Sequence, residues 1–385
     1  MSRPNVLLLA NTTHSSEAVL DHIHAVTTCH AFNFHVVNPL TFKIIDKIDF
    51  SLFDAIGVHY SVKLYQEDDF SFKVQKKIAS YTGLKFLFVQ DEFFLIHKIQ
   101  DLIYRLGFEV LFTLLEQKFW AKAYPDPRLI KLKKVQVLAS YVSDDMKFID
   151  TPAVSERPID VSYCRGHDDA WSGPLAQEHH EREKKLLSYL KQADLTLDLT
   201  LQEVSHVCEA ALLNVLMRSK VVFCSGSTQN VWTLEDRLIY PSVSSRLFEA
   251  VATRTPLILF SGDYEGILKP HEHYIPLEKD FSNINDVLDR IRHLDELQAM
   301  ADAAYADLIE SNAYSQHQLS QTLNETLLPR IQGVQTSSLG LVSYLDETMK
   351  KHRFSHLIRC LCSQLRSFIR RIQVLLRSGF AFIHN

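Results

Sequence analysis

The sequence predicts an α/β protein with two doubly wound domains followed by a basic amphipathic helix. Three observations predict it. Short apolar runs, each the length of a buried parallel strand, recur through residues 1–150 with helical patterns between them. The same alternation starts again after residue 158. Between the two series, residues 144–158 are polar, carry Pro152 and Pro158 and show no sustained apolar period, which marks a boundary. The 385 residues suit two domains of roughly 150–200 each. The expected division is 1–150, 151–315, a further helical stretch at 316–347 and a tail at 348–385.

Each element has its own signal. A strand at 6–9 ends in Ala10, Asn11, Thr12, Thr13 and His14, and a helix follows from about residue 16 with Val19, Ile23 and Val26 on one face. Further strands are expected at 34–37, 55–60, 86–89, 110–114 and 135–141. The clearest helix spans 97–106, with Ile99, Leu102, Ile103 and Leu106 inward and Gly107 as its stop. The second series reads strand 159–163, helix 175–191, strand 195–199, helix 204–217 and strand 221–224. A short helix at 246–252 comes next, with Leu247, Ala250 and Val251 on one face, until Pro256 ends the pattern and an apolar strand at 257–260 begins. Ser261, Gly262, Asp263 and Tyr264 then form a polar loop at that strand's carboxyl end, where open α/β sheets place ligands. Helices at 284–309 and 315–331 close the series.

Composition narrows the function. Hydrophobic residues at 46% and charged ones at 23% describe a globular chain with ample core. A net charge of -5 speaks against nucleic-acid binding through the whole protein. Six scattered cysteines without paired spacing point to a reduced, cytoplasmic setting. The apolar run at 6–10 is too brief for a signal peptide's core, and no stretch approaches the ~20 apolar residues of a membrane span. The tail holds Lys350, Lys351, Arg353, Arg359, Arg366, Arg370, Arg371 and Arg377, no acidic residue, and an apolar set at helical spacing. It reads as a surface element drawn to an anionic membrane on its inner face; the alternative is a helix packed on its own protein or on a twin chain.

The stretch 244–281 resembles the sugar-nucleotide-binding segment of GT-B glycosyltransferases. Arg246, Leu247, Phe248, Glu249 and Ala250 stand as the short helix, and Arg254, Thr255 and Pro256 lead into the apolar strand. The run from Gly266 to Pro270 and that from His273 onward are similar to group 1 transferases of bacterial surface-polysaccharide type. The likeness is strongest over about residues 155–330. It implies two Rossmann-like domains facing a cleft, an acceptor domain first and a nucleotide-sugar domain second, with the last helices crossing back. It also implies metal-independent sugar transfer from a nucleotide-diphosphate donor to a glycan or lipid-linked acceptor, with no cofactor. Two alternatives stay open: an epimerase or phosphorylase-like enzyme on the same fold, and an inactive sugar-nucleotide-binding scaffold.

Transfer requires the departing diphosphate to be neutralised, the ribose held and the acceptor hydroxyl aligned. Glu249 is the first choice for the ribose, because a carboxylate accepts from two neighbouring hydroxyls. Arg246, one turn earlier, either faces the diphosphate or pairs with Glu249. Ser225, Gly226 and Ser227, after the strand at 221–224, and Gly262 and Tyr264 complete the expected donor side. Arg165 follows the strand at 159–163 and is placed to stabilise the leaving diphosphate. On the acceptor side stand Asn11, Tyr60, Asp91 and Glu92, with His14 as a base if the reaction inverts. Many retaining members carry a glutamate eight positions before the equivalent of Glu249. Here that position is Pro241, which leaves the sugar contacts and the stereochemistry open. No metal ligand set is expected: His271, Glu272 and His273 lack helical zinc spacing, and no D-x-D motif occurs.

Overall fold

The structure is a computed structural model. It describes residues 3–331 except 40–44, 46–47, 91, 93–94, 165–173, 200–208, 225–227, 233–236 and 242, and of 164, 174–180, 209–210, 228–232 and 237–241 it describes the backbone alone. The basic tail at 348–385 and most of 316–347 beyond residue 331 lie outside the described residues.

Two parallel sheets carry the chain. The first has six strands in the order β2-β1-β3-β4-β5-β6: β1 Asn5–Leu9, β2 Asn33–Val37, β3 Ala55–Val58, β4 Leu84–Val89, β5 Val110–Thr113 and β6 Lys133–Gln136. Their apolar runs are buried because helices cover both faces, and β1, β3, β4 and β5 are buried at every position. Gly57 is required on β3: a Cβ there would meet the Phe86 ring of β4 at 2.3 Å. The helix Ile96–Leu106 ends where expected, on Gly107 in the left-handed region at φ 71°.

The second sheet has five strands in the order β13-β12-β9-β7-β8: β7 Ile159–Cys164, β8 Leu197–Asp198, β9 Ser219–Cys224, β12 Leu257–Phe260 and β13 Tyr274–Leu277. Two antiparallel strands, β10 Thr228–Trp232 and β11 Arg237–Pro241, form a hairpin that the sequence pattern did not announce. The last strand of the first sheet is also displaced, at Lys133–Gln136 rather than 135–141. An edge strand with partly exposed faces has no continuous apolar run to mark it. The helix expected over 284–309 divides into Ile284–Arg290 and Leu294–Tyr305 and ends in a π-turn at Ala306–Glu310.

A buried cation binds the boundary segment to the second domain. Arg157 is 2% exposed and donates to the carbonyls of Pro152, Leu216, Ser219 and Thr253 and to Thr255 Oγ1. Burial pulls its pKa down to about 10. The helix Gln316–Leu327 returns to the first domain. Leu319, Leu323 and Leu327, spaced at i, i+4 and i+8, join the core that holds Ile23, Val26, Cys29 and Phe32. Each fully buried leucine is worth about 1.5–3 kcal/mol, enough to fix the helix there. Among the described residues no helix is long and apolar enough to cross a membrane.

Candidate functional site

Both sheets turn the carboxyl ends of their strands towards one seam. Lys118, just after β5, donates to Asp263, just after β12, at 3.0 Å. Gln136 at the end of β6 reaches Glu265 at 3.5 Å. Parallel α/β sheets bind ligands at this edge, so the residues gathered there define the candidate site.

On the first sheet the strand order reverses between β1 and β3, and a polar chain joins the two ends. The Asn11 N–H donates to Ser61 Oγ at 2.9 Å. Ser61 Oγ lies 2.9 Å from His59 Nδ1, and His59 Nε2 lies 2.9 Å from His22 Nδ1. The Ser61 N–H also donates to His59 Nδ1 at 3.1 Å. That nitrogen is therefore an acceptor, the ring proton is on Nε2, and His59 donates to His22. Both imidazoles are fully enclosed. Burial lowers His22 to about 4, and burial together with the neighbouring His22 and His14 holds His59 well below its ordinary value. Both are neutral at pH 7.

The expected acceptor residues divide. The Asn11 side chain accepts from Thr13 and from Asn38 Nδ2, which fixes the loop after β1. The Tyr60 ring lies against that of His59, with centroids 4.0 Å apart and planes tilted by 35°. His14 Nδ1 accepts from the Ser16 N–H at 3.1 Å, so its neutral ring carries the proton on Nε2 and acts as a base only by giving up that bond. Glu92 is instead fully enclosed, with Thr113 Oγ1 donating to its carboxylate and Tyr124 OH 3.4 Å away. Its carboxylate turns into the core, where both hydroxyls meet the same oxygen, Oε1. Asp91 lies outside the described residues.

On the second sheet Arg246 and Glu249 share the half-buried side of the helix Ser245–Ala252, while Leu247, Phe248, Ala250 and Val251 face the core. Gly262 is exposed, and its carbonyl accepts from Tyr274 OH at 3.2 Å. Tyr264, expected to meet the donor, is instead 2% exposed and donates its hydroxyl to the Phe260 carbonyl at 2.7 Å. It braces the loop from beneath. Arg165, Ser225, Gly226 and Ser227 lie outside the described residues.

Sequence reasoning missed one residue at this seam. Glu265 stands in the left-handed region at φ 56°, a strained conformation for a side chain other than glycine, and such strain clusters at functional sites. Its carboxylate accepts from the Val243 N–H at 3.3 Å and from Gln136 across the seam. Burial, with Glu116 and Asp263 adding to it, raises its pKa to about 7. Val243 is two residues after Pro241, so the fold brings a carboxylate from a distant segment close to that stretch of chain. Neither spacing nor periodicity links 265 to 241, and only the fold brings them together.

This is the fold of the GT-B glycosyltransferases. An alpha-glucosyltransferase in complex with UDP-glucose and abasic-site DNA superimposes with a TM-score of 0.56 at 10% identity, over 85% of this chain and 100% of that one. HepE of Anabaena, solved with UDP and glucose, gives 0.55 at 12% identity over 84% and 99%. The alpha-glucosyltransferase bound to UDP and a 13-mer DNA containing an HMU base gives 0.52 at 9% identity over 83% and 100%. No protein-family model matches the chain, and no curated protein matches it by sequence. The DNA complexes overturn one expectation. Exclusion of nucleic acid on the strength of a net charge of -5 does not hold, since chains of this fold are solved with DNA bound, and net charge does not report the charge along one edge of a cleft.

Proposed function

We propose that this chain is a glycosyltransferase that holds a UDP-sugar on its second domain and transfers the sugar, without a metal in the reaction, to a hydroxyl of a glycan or lipid-linked acceptor on its first. The observation that carries this reading is the meeting of two parallel-sheet carboxyl edges at one seam, held by Lys118–Asp263 and Gln136–Glu265, in a fold shared with UDP-bound transferases. Glu249 takes the ribose, and Arg246 with Arg165 takes the diphosphate charge. Glu265 handles the proton. As the acceptor oxygen bonds to the anomeric carbon, the bond from that carbon to the diphosphate breaks, UDP departs, and the hydroxyl proton passes to the Glu265 carboxylate. A carboxyl with a pKa near 7 suits that exchange at neutral pH. The protein works in the cytoplasm.

The test is thermal shift and calorimetry with UDP, GDP, dTDP, ADP and CMP on the wild type and on Glu249→Ala. Expected is stabilisation by UDP that the variant loses, because a ligand bound only by the native state raises Tm by mass action. Turnover of UDP-sugars is then read against glycan, lipid-linked and DNA acceptors. UDP bound equally by both proteins, or by neither, overturns the assigned donor site, and product on DNA alone overturns the acceptor class.

A further inference from the structure

Away from the cleft, at the amino-terminal edge of the second sheet, the connection from β12 to β13 returns through Lys269, Glu272 and His273. There it meets Asp307 on the π-turn Ala306–Glu310. His273 is 1% exposed. Its Nε2 points at two carboxylates, 3.2 Å from Asp307 Oδ2 and 3.7 Å from Glu272 Oε1, yet forms no aligned hydrogen bond. One ligand atom from each of the three residues lies within 4.8 Å of the other two. A cation already stands among them: Lys269 Nζ is 2.9 Å from Glu272 Oε1 and 2.7 Å from Asp307 Oδ2. The Lys269 side chain is half exposed, so its stem can swing into solvent and carry the ammonium away.

We infer that Glu272, His273 and Asp307 form a binding site for a divalent transition-metal ion of the zinc class, which takes the place of the Lys269 ammonium. The imidazole nitrogen is a borderline donor that suits zinc better than magnesium, the two hard carboxylate oxygens complete a set zinc also takes, and three protein ligands leave the fourth position to water. Once its proton has left Nε2, the buried imidazole beside two carboxylates gains more from a dication than from an ammonium that only donates hydrogen bonds. Ligation from Nε2 moves the ring proton to Nδ1, at the expense of a long contact, 3.4 Å, from the Lys269 N–H. The ion would join the connection carrying the cleft loop to the segment that leads into the crossing helix Gln316–Leu327. Its role is to stiffen the second domain, and it takes no part in sugar transfer. The chain spacing gives no sign of this site, because Asp307 is 38 residues beyond Lys269.

The experiment is calorimetric titration of the full chain with zinc, and separately with magnesium, alongside cobalt(II) absorption. The proteins are wild type, His273→Gln, Asp307→Asn and Lys269→Met. Expected is zinc binding by the wild type, tighter binding by Lys269→Met, and a loss of roughly 100-fold or more in the two ligand variants, since even partners outside the ligand set cost 10–100-fold. Cobalt bands of a tetrahedral site should vanish in Asp307→Asn, which keeps the buried imidazole and covers the case in which His273→Gln fails to fold. Equal zinc uptake by all four proteins overturns the site, pointing to others of the 18 histidines. So does a Lys269→Met protein that binds no zinc, and magnesium binding as tight as zinc overturns the metal class. None of these readouts depends on transferase activity.

Discussion

The two sheets present opposite kinds of polar edge to the seam. Along the first, the polar groups are enclosed and bonded to one another, in the chain Asn11, Ser61, His59 and His22 and in the group Glu92, Thr113 and Tyr124. Along the second, the loop after β12 holds Gly262 and Asp263 outward, with Tyr264 bracing it from below. The difference teaches how the work is divided. Buried polar groups bonded to one another rigidify a wall, whereas exposed backbone and charged groups can meet a charged ligand. The second domain holds its rigid polar centre elsewhere, at Arg157, far from the loop in sequence and facing carbonyls instead of carboxylates.

The contrast can be broken most severely at Arg157. Arg157→Ala strips the guanidinium from the buried carbonyl of Ser219, from the part-buried carbonyl of Pro152 and from the Thr253 carbonyl, which keeps a long bond from Thr255 Oγ1, and at 1–3 kcal/mol for each unsatisfied group the expected loss is about 3 kcal/mol in urea unfolding. A loss under about 1 kcal/mol would mean that water replaces the guanidinium and that the domain does not depend on it. Next in size is Glu265→Gln. Turnover should fall roughly 100-fold with UDP affinity and Tm unchanged. The wild-type rate should rise with pH through about 7 as the carboxylate forms, and the variant should lose that limb. An unchanged profile would move the proton acceptor elsewhere.

The enclosed wall gives a smaller, pH-dependent effect. His22 is neutral when folded and has an ordinary pKa when unfolded, so below about 6.5 the unfolded chain takes up the proton and the native state loses stability as pH falls towards 4. Between pH 7 and pH 5 that amounts to about 2 kcal/mol. His22→Phe should flatten this part of the stability curve, measured by urea unfolding at both pH values. A slope that persists unchanged would assign it to other groups. The smallest effect is at Lys118. Its bridge to Asp263 is half exposed, so Lys118→Ala should cost less than about 1 kcal/mol. It should still loosen the seam, seen as a larger radius of gyration in solution scattering; no change would show that Lys118 does not hold the domains together.

The strands at 6–9, 86–89, 221–224 and 257–260 were legible because each is an apolar run that a doubly covered sheet requires. The edge strand Lys133–Gln136 was not, since it lacks two buried faces to write a pattern, and the hairpin β10–β11 was not announced either. Glu249 and Arg246 were expected on the donor side through a local motif on one short helix. Glu265, which directly follows Tyr264, was not legible, because a lone glutamate in a loop carries no periodicity. Glu92 and Tyr264 were placed at the strand ends correctly along the chain, but which way a side chain turns depends on partners such as Thr113 and Phe260 that sequence does not bring near.

By itself the sequence determined two parallel α/β sheets and the helix that carries Arg246 and Glu249. These follow from hydrophobic period and turn residues, which act over a few neighbours. Only the tertiary structure decided that Glu265 lies beside Val243 and Gln136, that His22 and His59 bond in the core, and that His273 faces Asp307. Those meetings join residues tens to more than a hundred positions apart, and the burial that shifts their proton affinities exists only once both sheets have closed around them.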